Sequence, residues 1–286
     1  MKKVLITGMS GLIGGILREH LESVGGYELS ALNRRAVEGV ECIRADMTDP
    51  DAIKPAFAGK DVVVHLAAYT QRPDWEFQLG NIVGTYNVYE AARQAGVQRI
   101  VFGSSGATVM GYERRMPYES IIRGRYKDVP DDFHRLTEEA AIPGGIYGAY
   151  KLFGEALGRH FSDAYGISVL CVRIGRVNQE NRPTNRGEMS RYLSHRDIAQ
   201  VLRLCIDARP SLAYDVFYAT SNNRWGYRDL EHAKEVLGYQ PRDSADAFDL
   251  GPPWTHRREP SRTSHPGPPP KAKGRLTEVD PQGGCA

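Results

Sequence analysis

Lys3-Val4-Leu5-Ile6-Thr7-Gly8-Met9-Ser10-Gly11-Leu12-Ile13-Gly14 is the stretch on which the fold turns. A short β-type run leads into three glycines spaced G-x-x-G-x-x-G. Gly8 permits a sharp turn, because glycine takes positive φ without steric cost. Gly11 lets a pyrophosphate approach the backbone where the free N–H groups of a starting helix point outward. Gly14 lets that helix pack closely on the strand. With the loop opening directly after a strand, the spacing predicts a dinucleotide-binding loop to which Ser10, Leu12 and Ile13 also belong.

Outward from this loop, strands and helices alternate. A helix is expected from about Leu12 to Val24, then strands at Glu28–Leu32 and Glu41–Arg44. Asp49-Pro50 reads as an N-cap followed by proline at the first helical position. Asp61–Leu66 is almost continuously apolar, as a strand covered on both faces should be. Asn81–Ala95 and Tyr147–Tyr165 read as helices, Arg99–Phe102 and Ile167–Ile174 as strands. The alternation predicts an α/β fold: a doubly wound parallel sheet with its site at the carboxyl ends of the strands.

Composition narrows the function. Hydrophobic residues make up 41% and charged residues 25%, ordinary for a globular protein, and the formal net charge of +2 argues against binding driven by nucleic-acid phosphates. No apolar run approaches the roughly 20 residues of a membrane helix. Met1-Lys2-Lys3 followed at once by a strand does not read as a signal peptide. Cys42, Cys171, Cys205 and Cys285 show neither metal-ligand nor redox spacing, so no metal and a reducing cytoplasm are expected. Residues 1–175 are expected to form the nucleotide-binding domain with the catalytic residues, and 176–250 a small substrate lobe that also completes the sheet. Residues 251–286 hold 8 of the 17 prolines and six Lys/Arg against three acids, which predicts a disordered basic tail.

Candidate site residues follow from chemistry and position. Asp46, after the third strand, can accept a hydrogen bond from an adenine amino group; the bland alternative is a helix cap, for which Asp49 is better placed. The second strand ends in Asn33-Arg34-Arg35, where NAD enzymes usually carry a carboxylate for the ribose hydroxyls. Asn33 brings no charge to repel a 2′-phosphate, and the planar fork of Arg34 can pair with one, which favours NADP while leaving NAD open. Tyr147 and Lys151 share a helix face four residues apart. An ammonium beside the phenol is expected to lower its pKa, so that Tyr147 takes a proton from a substrate hydroxyl. Tyr150 is a decoy, since its fourth neighbour is Gly154. Ser104 and Ser105 end the preceding strand, where a serine can hydrogen-bond the reacting oxygen. Asn81 can hold a water linking Lys151 to solvent, or simply cap its helix.

Taken together, Thr7-Gly8 to Gly14, Asp46, His65-Leu66-Ala67-Ala68, Asn81 to Asn87, Ser104-Ser105 and Tyr147 to Lys151 resemble the extended short-chain dehydrogenase/reductase family, in the family order. The resemblance implies a Rossmann domain with a small C-terminal substrate lobe, NAD(P), and a homodimer built from two long helices per subunit. It implies Ser105, Tyr147 and Lys151 as catalytic residues, with Asn81 assisting. It adds Met47, Leu66, Ala67, Ala68 and Ile174 to the cofactor site, and Thr70, Gly106, Ala107 and Arg176 beside Ser105 in the substrate site. A narrower resemblance is to the uronate dehydrogenases and the NAD-dependent glucose-6-phosphate dehydrogenases of haloarchaea. It rests on Tyr147 through Glu155, Val172-Arg173-Ile174-Gly175, Leu193 to Asp197, Tyr214 to Tyr218, and the segment from Asp229 to Tyr239.

The departures lie on the substrate side. Those enzymes follow the serine with Asn-His, which contact substrate; here Gly106 and Ala107 stand there. Arg176 replaces a small serine, and the uronate-binding arginine has no fixed counterpart, since Arg186 and Arg191 could each substitute for it. A pocket enlarged beside Ser105, with one added positive charge opposite, is therefore expected. The segment from Tyr112 to Ile146 is long for a loop and is expected to be a lid or binding loop, or a solvated surface loop; it carries Arg114, Arg115, Arg123, Arg125 and Lys127. The short substrate lobe favours a small sugar, sugar acid or sugar phosphate, oxidised at C1, over a nucleotide sugar. A nucleotide-sugar epimerase or dehydratase and a non-catalytic NAD(P)-sensing regulator are the competing readings. The first would retain its cofactor, and the second has no need of Ser105, Tyr147 and Lys151.

Overall fold

A computed structural model of the chain describes residues 1–70 and 74–250. The predicted tail, 251–286, lies outside the described residues. Seven strands form one parallel sheet: β1 (Lys2–Thr7), β2 (Tyr27–Asn33), β3 (Glu41–Arg44), β4 (Val62–His65), β5 (Arg99–Ser105), β6 (Ser168–Ile174) and β7 (Tyr214–Ala219). Their order is β3-β2-β1-β4-β5-β6-β7, reversing direction across the sheet at β1, where doubly wound sheets place their ligand crevice. The register brings Thr7 level with His65 and with Leu32, His65 level with Phe102, and Ser105 level with Ile174. The loops after β1, β2, β4, β5 and β6 therefore open on one edge.

The helices are α1 (Leu12–Val24), α2 (Pro50–Ile53), α3 (Trp75–Gln94), α4 (Tyr118–Ile122), α5 (Ile146–Tyr165), α6 (Arg186–Met189), α7 (His195–Asp207) and α8 (Glu231–Leu237). The sheet is buried on both faces. On one, Val4, Ile6, Val64 and Val172 pack with Leu17 of α1 and Val201 and Leu202 of α7. On the other, Leu5, Val63, Phe102 and Val169 pack with Val88 and Tyr89 of α3 and Phe161 of α5. This two-sided burial is why β4 reads as an apolar run, Val62-Val63-Val64. Residues before and after position 175 share these layers, and the described chain forms one compact unit.

Arg99, at the start of β5, is buried and staples two layers. Its guanidinium donates to the carbonyls of Ala208 at 2.6 Å and Arg209 at 2.9 Å, past the end of α7, while its Nε donates to Ser168 Oγ at 2.9 Å. A cation there satisfies carbonyls that a helix end leaves open.

Two expectations need correcting. The third helix begins at Trp75 rather than Asn81, because Asp74 caps it by accepting from Phe77 N at 2.8 Å. Asn81 is therefore no N-cap. The segment from Tyr112 to Ile146 is not a structureless loop. It carries α4 and short 3₁₀ turns, and Tyr118, Ile121, Val129 and Leu136 pack with Tyr218 and Tyr227 in a third apolar cluster. Three of its cations are tied locally: Arg123 and Arg125 reach Glu119, and Arg114 donates to Gly144 O. Among the described residues, no helix is long and apolar enough to cross a membrane.

Candidate active site

At the carboxyl edge the chain leaves β1 and turns at Gly8, whose φ is +74°. A Cβ there would stand 2.8 Å from the Ala67 backbone nitrogen, and one at Gly14 would stand 2.6 Å from Met9 Cα. Both positions therefore require glycine for close approach. Gly11 precedes α1 with no side-chain cap, so the first-turn N–H groups face the cleft with the positive end of the helix dipole. The cleft has a volume of about 860 Å³ and runs from this glycine loop to Tyr147 and Lys151. Size, glycine cradle and uncapped helix start fit a dinucleotide. Among the described residues, no cluster of three His, Cys, Asp or Glu side chains could hold a metal.

Beneath the loop lies a buried polar relay. Thr7 Oγ1 accepts from Ala67 N at 3.1 Å and stands 2.8 Å from His65 Nδ1; His65 Nε2 stands 3.2 Å from Thr85 Oγ1. The assignment that gives the Thr7 hydroxyl proton a partner sends it to Nδ1, leaving the ring proton on Nε2. Burial, helped by the Lys151 charge, pushes His65 down to about 3, so the ring is neutral.

At the far end of the cleft Asn33 Nδ2 donates to Ser10 Oγ at 2.6 Å and to Arg35 O at 3.1 Å. Arg34 is exposed, its guanidinium carbon 5.1 Å from the centre of the Tyr69 ring. Tyr69 in turn donates its hydroxyl to Asp46 Oδ1. Burial opposes ionisation of Asp46, but the bonds from Tyr69 and Thr48 and the Arg34 charge outweigh it and hold the carboxyl below its ordinary range. Asp46 flanks the main cleft beside Arg34, Arg44 and Ala45, and helix capping falls to Asp49, which accepts from the N–H groups of Asp51 and Ala52. The other residues proposed for the cofactor, from Gly8 to Ile174, line the cleft, as do Thr70 and Ser105.

Ser105, Tyr147 and Lys151 meet at the near end. Ser104 is not available: it is buried and donates to Glu155 Oε1 at 2.5 Å. Ser105 Oγ accepts from Ala107 N at 3.1 Å, which leaves its proton free to donate into the cleft. Lys151 is buried, donates to Gly103 O at 2.6 Å, and lies 5.6 Å from the centre of the Tyr147 ring. Burial pushes Lys151 down to about 8, with Glu155 opposing. Burial likewise pushes the Tyr147 phenol up to about 12. The expected lowering of Tyr147 by Lys151 is thus absent from the protein alone, because desolvation dominates both groups. Asn81 clamps backbone: Oδ1 accepts from Tyr69 N at 2.7 Å, and Nδ2 donates to Tyr69 O at 3.0 Å and Gln78 Oε1 at 3.1 Å. Tyr150, the decoy, donates to Trp75 O at 3.3 Å.

The substrate side departs most from expectation. Arg176 adds no free charge: its Nε pairs with Glu188 at 2.7 Å, and the residue does not line the cleft. Arg191 is held by Glu113 at 3.4 Å. Nor is the space beside Gly106 empty. Arg228 Nη2 lies 2.6 Å from where a Cβ at 106 would be, so its guanidinium fills the volume of the missing side chain. Sequence reasoning gave no role to Arg228, His65, Tyr69 or Glu155. Glu155 had a signal, standing four residues beyond Lys151 on the same helix face. Arg173 grips it through two parallel bonds of 2.9 and 2.8 Å, and also donates to Ala140 O and Tyr218.

Comparison with known proteins agrees with this geometry. Residues 4–203 match the model of the NAD dependent epimerase/dehydratase family. A uronate dehydrogenase of Agrobacterium fabrum is 35% identical over 257 residues, covering 87% of each chain. An NAD-dependent glucose-6-phosphate dehydrogenase of Haloferax volcanii is 33% identical, covering 86% of this chain and 95% of the relative. The crystal structure of a uronate dehydrogenase variant from Agrobacterium tumefaciens complexed with NAD superposes with a TM-score of 0.72 at 32% identity, covering 87% of each chain. The chain belongs to the NAD dependent epimerase/dehydratase family.

Proposed function

We propose that this chain is an NAD(P)-dependent dehydrogenase that oxidises a small sugar, sugar acid or sugar phosphate at C1. The observation that carries the reading is the convergence of Ser105, Tyr147 and Lys151 at one end of a cleft whose other end is a glycine cradle. The similarity to uronate and glucose-6-phosphate dehydrogenases supports a sugar as substrate.

NAD(P)⁺, when bound, supplies the hydride acceptor and a positive charge that favours the phenolate nearby. Tyr147, once its own proton has left along the path through Lys151, removes the proton from the substrate hydroxyl. Ser105 donates a hydrogen bond from its free hydroxyl to the same oxygen and fixes its position. Lys151, anchored on Gly103 O, keeps two further N–H bonds for the cofactor ribose and the proton path. The C1–H bond breaks with its electron pair leaving as hydride, the O–H proton passes to Tyr147, and C1=O forms. For a ring sugar the product is a lactone, which water later opens.

Arg34 beside an uncharged Asn33 supports NADP over NAD. Solvent-exposed Trp75, Val83 and Tyr86 of α3, and Ile146 and Tyr165 of α5, support a homodimer through these helices. The three described cysteines are free, which supports a reducing cytoplasm. The test is incubation with NAD⁺ or NADP⁺ and a panel of hexoses, pentoses, uronates and sugar phosphates, with product identification. Nicotinamide reduction and a lactone or its acid are expected. A 4-epimer or 4-keto sugar nucleotide without net cofactor reduction would replace this reading with the epimerase/dehydratase one.

A further inference from the structure

Arg228 is a buried cation that the proposed chemistry does not use. Only 3% of it is exposed, and among the described residues its Nε and Nη1 find no hydrogen-bond acceptor. Its one acceptor among the described residues is Gly106 O, at a long 3.4 Å from Nη2. No carboxylate pairs with it among the described residues. Neighbouring arginines are answered: Arg173 by Glu155, Arg176 by Glu188 and Arg191 by Glu113. Glu113 is taken up by Arg191 and by the Tyr227 hydroxyl, which donates to it at 2.5 Å. A guanidinium out of water without a counter-ion is costly, and folded proteins rarely keep one without a partner.

The backbone holds this cation at one place. Residues 136 and 228 form a parallel bridge, with Leu136 N donating to Tyr227 O at 2.8 Å and Asp229 N to Leu136 O at 2.9 Å. The guanidinium packs on the Tyr227 ring, 4.6 Å from its centre, and against Gly106, the residue after Ser105; it stands behind Ser105, next to the cleft wall rather than in the cleft lining itself. We propose that Arg228 is the specificity residue of the active site and receives the anionic oxygens, carboxylate or phosphate, of the sugar held by Ser105. The inference rests on the dehydrogenase reading. Unsatisfied N–H groups of a planar fork match two oxygens of either anion.

The test compares glucuronate, glucose 6-phosphate and glucose with the wild type, Arg228→Met and Arg228→Lys. In the wild type one of the two anions should give a lower KM than glucose, and which one identifies the group received. Arg228→Met should raise the KM for that anion by about 10- to 100-fold, as loss of a charge-assisted pair does, and raise the KM for glucose by a clearly smaller factor. Arg228→Lys keeps the charge, loses the fork, and covers the case in which Arg228→Met does not fold. It should raise the anion KM selectively, with kcat little changed. Equal effects on anionic and neutral sugars, or no anion preference in the wild type, would overturn the proposal. Turnover of no sugar at all would defeat the dehydrogenase reading instead. Anion-induced thermal stabilisation of the wild type, reduced in Arg228→Lys, would then still read the contact, and its absence would reject it.

Discussion

His65 should make the fold acid-sensitive in a calculable way. The imidazole is pushed from 6.5 down to about 3 by burial, with the Lys151 charge adding. Between those two values the unfolded chain binds a proton that the folded chain refuses. Stability is therefore fully present above 6.5 and lost as pH falls towards 3. The gap is worth roughly 5 kcal/mol at full extent, of which about 2 kcal/mol is lost by pH 5. His65→Gln keeps one acceptor for Thr7 and one donor for Thr85 but cannot titrate. Urea denaturation of both proteins at pH 8, 6.5 and 5 isolates the effect, because other titrating groups cancel in the difference. The wild-type advantage should shrink by about 2 kcal/mol between pH 8 and 5. Parallel stability curves for the two proteins would refute the argument. Because Thr7 Oγ1 also holds Ala67 N, cofactor affinity should weaken over the same range.

Tyr147→Phe should lower turnover by roughly 10²–10⁴ with cofactor binding retained; near-normal turnover would remove Tyr147 from the mechanism. Arg34→Ala should raise the Kd for NADP about tenfold or more and leave NAD nearly unchanged, as isothermal titration can measure; equal loss for both would reject the 2′-phosphate contact. Glu155→Gln leaves the Arg173 guanidinium buried without its carboxylate and should cost about 3–5 kcal/mol in chemical denaturation. A loss below about 1 kcal/mol would show that the pair is not structural.

The sheet was legible because its signals are local. The glycine spacing of residues 8–14, the β-branched strands and Pro50 after Asp49 each act over a few residues, and the structure reproduces them within three residues at every predicted strand end. The start of α3 was not legible, since Trp75–Gly80 carries no amphipathic pattern and its cap, Asp74, competes with the equally plausible Asn81. The packing of the Tyr112–Ile146 segment was hidden because its partners, Tyr218 and Tyr227, lie about a hundred residues downstream. Tyr147 and Lys151 could be found from helical spacing, but not the desolvation that governs their titration. Arg228 gave no sign at all: Gly106, which its guanidinium packs against, and Leu136, which its backbone bridges, lie about a hundred residues upstream.

The Arg99 staple bears on how the chain is made. Its carbonyl partner at Ala208 lies 109 residues downstream, and its neighbour Ser168 follows 69 residues behind it. A ribosome therefore releases β1 to β5 while the edge of β5 is still open and Arg99 has nothing to cap. Until β6 emerges that edge offers unpaired backbone, and until the end of α7 follows it offers an unanswered cation, the surface on which nascent α/β chains aggregate or recruit a chaperone.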